Sequence, residues 1–177
     1  MVPPRRYDLF AELQFTGTPM VKLHTLATIR YGVVAGAAGG LAEMAWVTLY
    51  AGVTNGNAAL LARGVTTAAG VSTLLPDFSV GLGVAIHMTL AVTLGVALAF
   101  VWRALCSHRP VSPFPFAIAA LVGVWAANFF VVLPMISPAF IALLPYSVSL
   151  ISKMLFGAAA AEALRQQAVF GVQFAVR

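Results

Sequence analysis

The sequence is poor in charge. Only 8% of its 177 residues are Asp, Glu, Lys or Arg, whereas a water-soluble domain carries roughly 25%. It has five acidic residues and three histidines, and no nucleophile–base pair among them has supporting spacing. There is a single cysteine, Cys106, so no internal disulfide and no zinc-type Cys spacing is available. Beside Arg103 and Arg109, Cys106 reads as a small apolar residue at a helix end. No P-loop occurs, and the glycines near residues 32–40 follow no strand, so they make no dinucleotide fingerprint. The net charge of +5 suggests nucleic acid, but the ten Lys and Arg are scattered and form no basic stripe, which excludes that partner class. No cleavable signal peptide and no internal repeat are read in the chain.

What the sequence does have is apolar length. Hydrophobic residues make up 61% of the chain, and mean hydropathy is +0.95. Four stretches, residues 31–53, 78–102, 115–133 and 139–164, are each long enough at about 1.5 Å per residue to cross a hydrocarbon core of about 30 Å. The reading is an all-α, integral-membrane bundle of four transmembrane helices, forming one membrane domain over residues 1–177. Residues 1–30 form a basic tail in which Leu9, Phe10 and Leu13 suit one short surface turn, and residues 165–177 form a second short tail. Residues 54–77 form the longest loop, with a turn cluster at Thr54-Asn55-Gly56-Asn57 and a weakly helical segment from Ala58 suited to a membrane interface. Asp77 is a candidate N-cap for the second span, and Pro134, Pro138 and Pro145 together are expected to break the third and make a tight, nearly uncharged hairpin. The fourth helix starts either at Tyr146 or at Ala139 with a kink at Pro145.

Arg5, Arg6, Lys22, Arg30, Arg103, Arg109, Arg165 and Arg177 fall on one side of such a bundle, and Arg63 alone falls on the other. The positive-inside rule then predicts cytoplasmic N- and C-termini, in a membrane such as the bacterial inner membrane.

Small residues recur at helical spacing. Gly32, Gly36 and Gly40 stripe the first span, and Gly83, His87, Ala91 and Gly95 stripe the second. Gly123 with Ala120 and Ala127, and Gly157 with Ala160, do the same in the third and fourth. Such stripes admit another backbone closely.

Each span also carries one polar residue: Glu43, His87, Asn128 and Lys153. Counted from the arginine-rich side these lie about 18, 23, 20 and 17 Å deep, close to one level. An unpaired charge there costs roughly 2.5–3.5 kcal/mol, so Glu43 and Lys153 are expected to pair, with Asn128 and His87 as hydrogen-bond partners. Neither a haem nor a metal is predicted: only His87 of the three histidines is inside a span, and Glu43 with His87 makes two ligands where a metal needs three or four. Met44 and Met88 read as packing, His24 as an interfacial side chain, and Glu162 with Arg165 as a surface pair. No cofactor is predicted, and the partners are the lipid bilayer and other integral-membrane subunits or further copies of the chain. The function read from this is an accessory or structural subunit of a membrane complex, without chemistry of its own. Two competing readings stay open. One is a small channel, transporter or proton relay using the polar layer. The other is a subunit lending His87 or Glu43 to a cofactor or quinone held with a partner.

Overall fold

The computed structural model describes residues 18–73, 76–106 and 111–175, and every regular element among them is helical. The long helices are α1 (Thr18–Val53), α3 (Ser79–Cys106), α4 (Pro113–Ile136) and α6 (Tyr146–Ala175). The short α2 (Ala58–Ala68) links α1 to α3, and α5 (Pro138–Ile141) links α4 to α6. All four long helices contain a stretch long and apolar enough to cross a membrane.

α1 is longer than its apolar stretch. The helix begins at Thr18, well ahead of residue 31, because hydropathy marks where apolar side chains start and not where backbone hydrogen bonding starts. Its far end closes as a Schellman-type turn. Asn55 takes a positive φ of 52°, and the Gly56 N–H donates to the Ala51 carbonyl at 2.7 Å. Asn57 then caps α2, its Oδ1 accepting from the Ala59 N–H at 2.9 Å. Gly70, with φ of 70°, ends α2 in the same way. Asp77 does not cap α3. It is exposed within a 3-10 turn, Pro76–Phe78, and its side chain makes no hydrogen bond.

α4 ends at Ile136, just ahead of Pro138, as the proline series leads one to expect, but Pro134 lies inside the helix. The helix is α-helical to Ala127, widens into a π turn over Asn128–Val132, and resumes over Leu133–Ile136. In the wider turn the Leu133 N–H reaches back five residues to the Asn128 carbonyl. The ladder has therefore already slipped by one place where proline, which lacks an N–H, enters it. The chain after α4 separates into α5 and a helix that begins at Tyr146, not at Ala139.

α1 packs along α3 on one side and α6 on the other, and α6 packs along α4. The α1–α3 seam depends on glycine. A Cβ on Gly36 would strike the Ala91 carbonyl and the Val92 Cα, and one on Gly95 would strike the Gly36 backbone and the Gly32 carbonyl. Gly32 faces the Val96 backbone, and Gly40 faces Ala91 and Met88. Gly39 turns instead to α6, where the fully buried Phe156 ring lies on it. Gly83 abuts the backbone of Ala62 in α2, and Gly157 abuts Ala117 and Ile118 of α4. The core is correspondingly rich in alanine: Ala35, Ala91, Ala99, Ala117 and Ala160 pack around Leu121, Phe156 and Leu164. The third span departs from the sequence reading. Gly123 and Ala127 are exposed, no described residue outside the local backbone of α4 lies within 4 Å of a Cβ at Gly123, and α4 packs through Ala117 and Leu121 instead.

The surface turn expected at Leu9, Phe10 and Leu13, and the loop of Ser107, His108, Arg109 and Pro110, lie outside the described residues, as does the His24 side chain.

Candidate functional site

Glu43 follows Gly39 and Gly40 on α1 by one helical turn, so the backbone approach that glycine permits brings its carboxylate between α3 and α6. On α6, Ser149, Ser152, Lys153 and Phe156 are spaced i, i+3, i+4 and i+7, which sets them on one face toward α1. Lys153 Nζ donates to Glu43 Oε1 at 2.6 Å and to Oε2 at 2.7 Å. The two side chains are only 16% and 12% exposed. The ammonium also lies 5.8 Å from the Phe156 ring centroid, a cation–π distance. The Ser152 hydroxyl, 1% exposed with its residue, is 3.2 Å from Glu43 Oε1 and 2.7 Å from the Ser149 carbonyl, so its one proton serves either acceptor.

The network continues into α4. Trp125 Nε1 donates to Ser149 Oγ at 3.0 Å, and that hydroxyl donates to the Tyr146 carbonyl at 3.0 Å. Trp125, Phe129, Phe130 and Tyr146 form an aromatic cluster around this bond, with ring centroids 5.6–6.4 Å apart. A second indole joins α1 to α6: Trp46 Nε1 donates to the Val148 carbonyl at 3.0 Å. In the sequence Trp46 stands toward the far end of the first span, where an aromatic ring suits a membrane interface, and nothing there assigns a role to Ser152 or to the Trp125 N–H. An indole suits an interface and a buried hydrogen bond equally well, so residue type alone does not separate them.

His87 approaches from α3. Its Nε2 is 3.9 Å from Glu43 Oε2, beyond hydrogen-bonding distance, and is buried without a hydrogen-bond partner. The sequence-level polar layer is thus gathered in part. Glu43 and Lys153 are in contact and His87 is beside them, but no hydrogen bond joins the half-buried Asn128 to any of the three. Asn128 sits at the start of the π turn, where its backbone carbonyl accepts from Leu133. Among the described residues no three His, Cys, Asp or Glu side chains converge as metal ligands would.

Chemically the arrangement is one carboxylate held by one ammonium and one hydroxyl, with an imidazole in reserve. Removing one partner of such a buried pair costs about 3–5 kcal/mol in soluble proteins, whereas replacing both by apolar groups is often neutral. An open apolar groove of about 770 Å³ runs along α1, lined by Leu41, Ala45, Thr48, Leu49 and Gly52 with Val84 of α3, and none of the polar cluster lines it. Toward the start of α1, Arg103 Nη1 donates to Thr28 Oγ1 at 2.8 Å, tying α3 to α1 where the arginines gather.

No protein-family model matches the chain, and no curated protein and no solved structure is significantly similar to it.

Proposed function

We propose that the chain is an integral-membrane protein and a non-catalytic accessory subunit of a larger membrane assembly, in a membrane such as the bacterial inner membrane. The distribution of polarity supports membrane insertion. Leu26, Val53 and Met135 are 63%, 75% and 80% exposed, while Glu43 is 9% exposed. Such a surface is stable against lipid and not against water. Orientation follows from charge. Among the described residues Arg30, Arg103 and Arg165 lie at one end of the bundle, and Arg63 is exposed at the other. With the positive-inside rule both termini are cytoplasmic. A reporter fused after Arg177 is expected to be active only in its cytoplasmic format. Activity in a periplasmic format overturns the orientation.

One observation carries the subunit reading. Ala119, Gly123 and Ala127 recur every fourth residue on α4, all three are exposed, and among the described residues nothing beyond the local backbone of α4 lies within 4 Å of a Cβ at Gly123. A small-residue face of this kind is what a second helix packs against in lipid, and here the chain itself leaves it open. The polar cluster, by contrast, is largely closed by its own bonds, and this supports a clasp over a conduction path. The channel or relay reading and the lent-ligand reading therefore rank below the accessory subunit.

Gly123→Leu is expected to leave the folded chain intact and to abolish its assembly, read as loss of the larger species on gentle solubilisation and native mass measurement. Wild-type protein that runs without companions, or a Gly123→Leu protein that keeps them, overturns the proposal.

A further inference from the structure

The clasp has one member that the ion pair does not use. Glu43 Oε1 is engaged by Lys153 and approached by Ser152, whereas Oε2 is engaged by Lys153 alone. An ionised carboxylate offers about four lone-pair directions, so Oε2 has room for a further donor. The group facing it is His87 Nε2, 3.9 Å away, buried and unpartnered. The Gly40 carbonyl is also turned toward the ring. An imidazole with an acceptor pair before it is set to become a double donor, which is its protonated form.

The charge inventory around the ring is short. α1 presents Glu43 and α6 presents Lys153. α4 contains no charged residue, α2 has only Arg63, which is exposed, and α3 itself has only Arg103 at its far end. With Lys153 in place the cluster is already neutral, and a second buried cation would stand uncompensated.

We propose that His87 is a proton-binding site that serves as the alternative cation for Glu43. Uptake of a proton from solution at Nε2 forms one N–H bond and leaves water behind; no electrons move. Where the Lys153 ammonium has withdrawn from Glu43, the new imidazolium takes Oε2 in its place and ties Glu43 to α3 instead of α6. The inference concerns the buried cluster only and stands or falls separately from the accessory role, which is tested at Gly123.

The test is unfolding of purified protein in mixed micelles from about pH 5 to about pH 8, the range in which imidazole changes charge. In Lys153→Met, the proposed contact between Glu43 and the imidazolium exists only in the folded state, so folding and proton uptake favour one another. Stability gained from it is therefore present at low pH and lost as pH rises. The folded-to-unfolded ratio of Lys153→Met is expected to fall, relative to wild type, by up to about tenfold per pH unit for one proton. Adding His87→Gln is expected to remove that slope. A flat Lys153→Met profile overturns the proposal. So does a slope that survives His87→Gln, since the proton then sits on Glu43. Should Lys153→Met fail to fold at any pH, the arbiter is Lys153→Met with His87→Lys, which places a permanent cation on α3. Recovery of folded yield supports position 87 as a seat for the Glu43 counterion, and absence of recovery overturns it.

Discussion

Gly36→Ala and Gly95→Ala are each expected to prevent correct assembly of the bundle, although each adds a single methyl group. At Gly36 the methyl meets the Ala91 carbonyl and the Val92 Cα, and at Gly95 it meets the Gly36 backbone. Backbone cannot rotate away as a side-chain tip does, so α1 and α3 must separate along the whole seam. The cost lies at or above the upper end of the ~1–3 kcal/mol typical of core overpacking. Gly36 and Gly95 touch one another, so the double variant is expected to cost less than the sum of the two singles. Gly81→Ala is the control: it is exposed, with nothing within 4 Å of the added atom, and is expected to behave as wild type. Folded yield and unfolding in detergent measure all four. Equal tolerance at Gly36 and Gly81 would mean that the seam is not glycine-dependent.

The second large effect is expected at the ion pair. Glu43→Gln and Lys153→Met, compared at one pH near 8, should each destabilise the folded chain by about 3–5 kcal/mol, less whatever the orphaned partner regains by neutralising or snorkelling. The double variant should recover much of that loss, because both charges leave the interior together. A large favourable coupling energy in this cycle is the expected outcome. Strict additivity is incompatible with two side chains in direct contact at 2.6 Å.

The four long helices are legible from apolar length, and the glycine stripes of α1 and α3 from period alone. A helix places glycine at every fourth position at a cost of about 1 kcal/mol each relative to alanine, so a repeated stripe signals a close neighbour. In α4 the same logic is ambiguous. Ala117, Ala119, Ala120, Gly123, Ala126 and Ala127 spread over about half of the helix circumference, too broad an arc to single out one face. The buried one proves to be that of Ala117 and Leu121. Counting rise per residue sets Glu43 and Lys153 at one depth, and the structure has them in contact; the same count includes Asn128, which is not bonded to them. Depth is one coordinate, and the angle about the helix, altered here by the π turn that begins at Asn128, is the other. Pro134 was unreadable as a helix interior residue for the same reason: the slipped ladder that accommodates it leaves no mark in composition. Ser152 is silent in sequence because a serine hydroxyl bonding its own helix, as this one does to Ser149, looks like any other.

The two halves of the clasp are also separated in time. Glu43 and Lys153 are 110 residues apart. At about 5–20 residues per second, a ribosome delivers the lysine roughly 5–20 s after the glutamate. Throughout that interval α1 exists with its carboxylate and without its ammonium, and a lone charge is what a nascent helix can least carry into lipid. His87 emerges before Lys153, on the helix whose glycines dock against α1. The order of synthesis thus gives the α1–α3 pair a period in which imidazole is the only basic side chain beside Glu43, and the lysine arrives last, as the piece that locks an arrangement already made.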